Sequence, residues 1–177
     1  MSEEMKAESQ LDTKDMTQAR FGSHDSESFN SASFIGLRNI LPSNVDIISP
    51  FVDQLILFIS KMRPADDDNY EIELALREAL VNAVVHGNQN DSGKRIYVNC
   101  RCTSDGGVSI TVEDEGNGFD PDLVPDPTSP DNRLRTNGRG IYLMRTLMDE
   151  VDFRQGGSVV HMRKRATTGS GARSKAQ

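Results

Sequence analysis

The stretch DNYEIELALREALVNAVVHG, Asp68 to Gly87, decides the fold, and within it Glu78 and Asn82 interrupt an otherwise apolar helical pattern. On the α-helical period of about 3.6 residues, Ile72, Ala75, Leu76, Ala79, Leu80 and Ala83 share one face, and Leu74, Val81 and Val85 share another. Glu78 and Asn82 fall one turn apart on the narrow polar strip between these faces, and Glu71 and His86 continue it. Removing a carboxylate or an amide from water without a partner costs roughly 1 to 3 kcal/mol. A bound ion or phosphate would supply that partner. Asp68 followed by Glu71 has the form of a capping box, and Gly87 suits a left-handed position at the C-terminus of the helix.

Working outward toward the N-terminus, Pro64 and the acidic run Ala65 to Asp67 form a linker. Before it, FVDQLILFISKM from Phe51 carries a stripe of Phe51, Leu55, Phe58 and Ile59. Ser49 and Pro50 resemble an N-cap and first-turn proline for this helix, which could equally begin near Val45. FIGLRNILP, stopped by Pro42, reads as a first strand. Residues 1–32 are rich in Ser, Glu, Asp, Lys and Gln without period, and residues 166–177 are small and polar, so both are expected to be flexible tails.

Toward the C-terminus, RIYVNCRC and VSITV alternate apolar and polar residues around the turn Ser104 to Gly107, which predicts a half-buried antiparallel hairpin. Directly after it stands DEGNGFD, Asp114 to Asp120. Residues 119–137 hold Pro121, Pro125, Pro127 and Pro130 with several Asp and have no period, the pattern of a lid or of a surface insertion. NGRGIYLMRTLMDEV then enters a third helix whose Ile141, Met144, Leu147 and Met148 face a core. Two closing strands, near Val151 to Arg154 and Ser158 to Arg163, are joined by Gly156-Gly157. Helices interrupted by hairpins predict a two-layer α/β sandwich, its mixed, mostly antiparallel sheet covered on one face by about three helices.

Composition narrows the function. A chain of 177 residues with net charge −7 lacks the clustered basic face of a general nucleic-acid binder. Its one basic run, His161 to Arg165, reads as a solvated strand exit. There is no apolar run of about 20 residues and no signal-peptide pattern, so the expectation is a soluble cytoplasmic protein without membrane association. Cys100 and Cys102 are two apart on one strand face, poorly placed for a mutual disulfide, and read as core thiols.

Three motifs carry chemistry. Asp114 at a strand end could accept from an exocyclic amine, while Gly116 and Gly118 let backbone approach a flat ring. Alone, DEGNGFD is equally an ordinary glycine-rich turn. Gly138-Arg139-Gly140 opens a helix, where exposed amides favour a phosphate, and it is equally a tight helix entry. Arg133, Arg135 and Arg139 could offset the charge of a terminal phosphate.

The order of these signals, an E-x-x-x-N helix, then D-x-G-x-G after a strand, a lid and a GxG opening a helix, resembles the GHKL or Bergerat ATP-binding fold over residues 33–165. The stretches REALVNAVVHGN and GRGIYLMRTLMDEV are similar to those of RsbW-type anti-sigma-factor serine/threonine kinases. The resemblance implies that Asn82 holds Mg2+ bridging the phosphates of ATP and that Asp114 reads the adenine amine. It further implies that Gly116 and Gly118 shape the adenine pocket, that Gly138 and Gly140 contact phosphates, and that Glu78 is the general base. His86, Arg133, Arg135 and Arg139 are counted with the nucleotide-binding residues. Arg139 stands where relatives often carry an apolar residue. The implied substrate is a Ser or Thr of a STAS-domain anti-anti-sigma factor, with a sigma factor as second partner and a homodimer in keeping with such relatives. A nucleotide-binding adaptor acting by association alone is the competing reading, and the presence of Glu78 favours the enzyme.

Overall fold

The computed structural model describes residues 34–63, 68–120 and 138–166. In chain order these form β1 (Phe34–Pro42), α1 (Ile48–Met62), α2 (Asn69–Asn82), β2 (Arg95–Thr103), β3 (Val108–Asp114), α3 (Arg139–Leu147), β4 (Glu150–Arg154) and β5 (Val159–Lys164). The strands make one five-stranded sheet in the order β1-β2-β3-β5-β4. Every pairing is antiparallel, from Leu37↔Cys100 at one side to Phe153↔Val160 at the other. The expected two-layer architecture is present, with helices packed on one face of the sheet. β5 rather than β4 sits beside β3 because Val159, Val160 and Met162 are apolar and buried, whereas β4 alternates Glu150, Asp152 and Arg154 with its apolar residues and makes a charged edge.

The anticipated core face of α2 is buried from Ile72 through Leu80, against Ile96, Val98, Ile110, Met144 and Met162. Cys100 and Cys102 are free thiols in the same core. Beyond Asn82 the expectation of a regular helix fails. Ala83–Gly87 is a π-helical turn, which fits one more residue into the turn and shifts the facing of the residues after it. Val84 is therefore buried, Val85 is half-buried and Val81 is 38% exposed, so the second apolar face is not a core face.

Both helix-end expectations for this stretch need correction. Gly87 is not left-handed; the chain turns at Gln89 (φ 57°) and Asn90 (φ 58°). Asp68 makes no capping hydrogen bond. Its carboxylate instead accepts from the buried Arg63, Nη1 to Oδ1 at 2.9 Å, and Glu71 pairs with Lys164. Charged partners, Arg63 five residues away and Lys164 far along the chain, outcompete a local cap because a hydrogen bond between ions is roughly twice as strong as a neutral one. Lys164 also donates to the Leu147 carbonyl at 2.7 Å, so this member of the basic run is held in the fold rather than solvated.

At the start of α1, Ser49 does not cap. Asn44 accepts from the Asp46 amide at 2.9 Å and begins a 3-10 turn at Val45 that runs into the helix, in line with the alternative start there. Ser49 Oγ accepts from Arg77. The expected lid beyond Asp120, with Arg133 and Arg135, lies outside the described residues, as do the N-terminal tail and all but the first residue of the C-terminal one. Among the described residues no helix is long and apolar enough to cross a membrane.

Candidate functional site

Along β3 the inward-facing residues are Val108, Ile110 and Val112, all buried, and the next in that alternation is Asp114. The strand thus delivers a carboxylate to the rim of the apolar core. Its backbone amide donates to Ser158 O at 3.0 Å, and its Oδ1 accepts from the Gly116 amide at 2.8 Å. Burial raises the Asp114 pKa above its ordinary value, and the Gly116 hydrogen bond opposes that rise.

The end of the π turn meets this carboxylate directly. A Cβ at Gly87 would stand 2.3 Å from Asp114 Cγ, and one at Gly116 would stand 2.1 Å from Gly87 O. At Gly116 the clash is with backbone and excludes any side chain, whereas a side chain at Gly87 would have to displace the Asp114 carboxylate. The next glycine, Gly118, has φ 72°, and a Cβ there would lie 2.0 Å from Gly156 O. Phe119 completes this crossing of two loops: its amide donates to Gly156 O at 2.6 Å and its ring meets Phe153 edge-on at 5.6 Å.

On the other side of the site, α3 starts after Gly138, whose φ of 89° turns the chain into the helix. The N-cap position of α3 is a glycine with no side chain to cap the helix, and a helix start of this kind favours an anion. A Cβ on Gly140 would lie 2.7 Å from Glu78 Oε2, 3.3 Å from Asn82 Nδ2 and 3.6 Å from Asn82 Oδ1. The polar strip of α2 therefore abuts the helix start whose amides favour a phosphate.

These parts enclose a cavity of about 260 Å3. Asp114 and Gly118 stand on its walls with Gly87 and Phe119, and Asn82, His86, Gly138 and Gly140 line it as well. Apolar lining comes from Val112, Ile141, Met144, Phe153 and Val160. An apolar cavity with one half-buried carboxylate, leading to a helix N-terminus, has the chemistry of a nucleotide site. Gly116 acts from behind by holding Asp114, and Glu78 borders the site through Gly140. Arg139 is exposed on the first turn of α3 and is not part of the cavity wall.

Sequence reading missed Gly87 as a contact, Asn88, Phe119 and the Gly156-Gly157 pair. Asn88 is wholly buried, with hydrogen bonds to the chain on either side of it. Gly156-Gly157 has the pattern of a plain turn, yet a Cβ on Gly157 would strike Phe119 O at 2.3 Å. Two adjacent glycines next to Phe153 were the signal that could have found them.

Mg2+ fits the oxygen atoms at hand. Glu78 and Asn82 bring a carboxylate and a carboxamide to the same helix start, and their oxygens are the hard donors this ion takes alongside substrate phosphates. Among the described residues no cluster of three or more His, Cys, Asp or Glu forms a self-sufficient metal cage.

The family model described as "Histidine kinase-like ATPase domain" matches residues 43–164. Among curated proteins, the chain is 35% identical over 98 residues to an anti-sigma F factor of Priestia megaterium, covering 53% of this chain and 65% of that one. It is 32% identical over 117 residues to an anti-sigma F factor of Geobacillus sp. (strain WCH70), covering 62% and 78%. For a third, from Heyndrickxia coagulans, the figures are 30% over 114 residues, covering 60% and 76%. A solved structure of the RsbU and RsbW domains of a Mycobacterium tuberculosis protein superposes with a TM-score of 0.50 at 21% identity, over 73% of this chain and 31% of that one, a likeness of fold.

Proposed function

The chain belongs to the histidine kinase-like ATPase domain family and is homologous to RsbW-like anti-sigma F factors, and on that premise we propose that it is an Mg-ATP-dependent serine/threonine kinase of a partner-switching circuit. The family assignment supports an ATP-using protein kinase. The substrate in this reading is a Ser or Thr hydroxyl of a STAS-domain anti-anti-sigma factor, and the second partner is a sigma factor.

In this mechanism the adenine enters the apolar slot and its exocyclic amine donates to Asp114. Gly87, Gly116 and Gly118 let backbone and carboxylate close on the ring. The amides of Gly140 and the first turn of α3 receive the phosphates, with the helix dipole favouring the negative charge. Asn82 would hold Mg2+, which when bound would supply positive charge to offset that of the phosphates. Glu78, one turn from Asn82, accepts the proton of the attacking hydroxyl or orients that hydroxyl in line with the γ-phosphorus. The bond from the γ-phosphorus to the bridging oxygen breaks as the new ester forms, and ADP leaves. Most of the acceleration comes from positioning and charge neutralisation, since phosphoryl transfer asks for little covalent chemistry from the protein.

The observation that carries this reading is the convergence of Glu78 and Asn82 on Gly140 at the start of α3. It supports an acid and an amide placed together at the phosphate end, which a pure association module has no chemical use for. The test is transfer from [γ-32P]ATP to candidate STAS proteins, run with Glu78→Ala and Asn82→Ala. Label on a STAS hydroxyl that both variants abolish is the expected result. ATP binding without transfer to any candidate would overturn it in favour of an adaptor.

A further inference from the structure

Asn88 follows the π turn and is wholly buried. Its side-chain Oδ1 accepts from the Glu115 amide at 2.9 Å, its Nδ2 donates to the Arg95 carbonyl at 3.0 Å, and its own amide donates to Ala83 O at 2.8 Å. Arg95 and Glu115 are opposed one step beyond Ile96↔Asp114, the last pair of the β2–β3 ladder. The Asn88 carboxamide is therefore interposed between the two strands where their next rung would stand, accepting from one chain and donating to the other like a peptide group. The Glu115 side chain closes the same junction, with Oε2 accepting from the Arg95 amide at 2.7 Å and Oε1 from Tyr97 Oη at 3.0 Å.

Glu115 sits between Asp114 and Gly116, the two residues joined by the hydrogen bond that fixes the Asp114 carboxylate. Fixing the Glu115 amide fixes the plane of the Asp114–Glu115 peptide, and with it the backbone from which the Asp114 side chain projects. Asn88 also adjoins Gly87, whose Cα is the surface the carboxylate packs on. One buried amide thus sets both the carboxylate and its backing.

We propose that Asn88 is the positioning residue for base selection: by locking the Glu115 peptide to the end of the π turn, it aims Asp114 at a 6-amino purine. The inference rests on the nucleotide reading above and adds to it a residue that touches no ligand. Its signature is selective. Loss of the lock should erode the part of the affinity that depends on the 6-amino group and leave the part that depends on phosphate.

The experiment measures the affinities of the full chain for Mg-ATP and for purine riboside triphosphate, which lacks only the amino group, in wild type, Asn88→Ala, Asn88→Asp and Asp114→Asn. Wild type is expected to prefer ATP by about tenfold or more, the scale of one hydrogen bond to a charged acceptor. Asn88→Ala should bring the ratio to within about twofold, as Asp114→Asn does, with the purine riboside nucleotide bound within about threefold of wild type. Asn88→Asp keeps the acceptor for Glu115 but not the donor to Arg95 and should fall between; if the alanine variant does not fold, the aspartate variant decides the matter by the same ratio. A wild-type ratio retained in the variants, with both nucleotides weakened equally, would reduce Asn88 to a structural residue and overturn the inference alone. Absence of any preference in wild type would instead overturn the adenine role of Asp114 on which the inference stands.

Discussion

Gly140 and Glu78 are in such close apposition that a single methyl group on the glycine would stand 2.7 Å from the Glu78 carboxylate oxygen. Two helices that are remote in sequence meet at this point. Gly140→Ala should displace Glu78 and Asn82 together and lower phosphotransfer by about 100-fold, the cost of misplacing a reacting group by about an ångström. Circular dichroism should show an unchanged fold. Transfer within a few-fold of wild type would mean that the side chains relax without consequence.

Gly87→Ala tests the adenine end. The added Cβ falls 2.3 Å from Asp114 Cγ, against a carboxylate pinned by the Gly116 amide. Overpacking of this kind costs about 1 to 3 kcal/mol. Calorimetric titration should show ATP affinity falling by more than tenfold, the equivalent of about 1.4 kcal/mol.

Asp114 should link stability to pH. Burial raises its folded pKa above the ordinary 3.8, so between these two values the native state binds more protons than the unfolded state. Stability then falls as pH rises through that window and stays lowered above it. Asp114→Asn removes the buried charge, so without nucleotide the variant should match or exceed wild type in melting temperature at neutral pH. The two should converge at acid pH, and the variant should lose its ATP-induced rise in Tm. A variant that melts lower at neutral pH would contradict the direction of the shift.

Arg63→Met tests the pairing that replaced the expected cap. The Arg63 side chain is 0% exposed and Asp68 only 16%. Its guanidinium also donates to the Arg165 carbonyl at 3.0 Å, joining the start of α2 to the end of β5. Breaking a buried pair costs about 3 to 5 kcal/mol, visible in denaturant melts. Arg63→Lys should recover little, because one ammonium cannot reproduce the forked contact. Nucleotide affinity of the folded fraction should be unchanged, since the pair stands away from the cavity.

Much of this was written in local pattern. The buried face Ile72, Ala75, Leu76, Ala79 and Leu80 follows from helical period, and Asp114 follows from counting two at a time along Val108, Ile110 and Val112. What escaped depended on distance in the chain. Asp68 and Glu71 satisfy every local criterion of a capping box, yet Arg63 and Lys164 take them, and no window around the helix contains Lys164. Gly87 was legible as a special position, but for the wrong reason, because a glycine needed for closeness and one needed for handedness look alike in sequence. The π turn was invisible to a reading that assumed one period throughout, which set Val85 on a second apolar face and left out Val84, the one of the two that is buried.

That turn makes Ala83 to Gly87 a spacer whose length matters more than its letters. Were the same five residues to wind as ordinary helix, at about 100° per residue, the chain beyond them would be rotated by roughly a quarter turn. Gly87 would then point away from Asp114 and Asn88 away from Glu115, with every side chain of the site still present. Substitutions at the exposed His86 leave that winding intact, whereas a change that makes the segment wind as regular helix would misplace Gly87 and Asn88 without altering either.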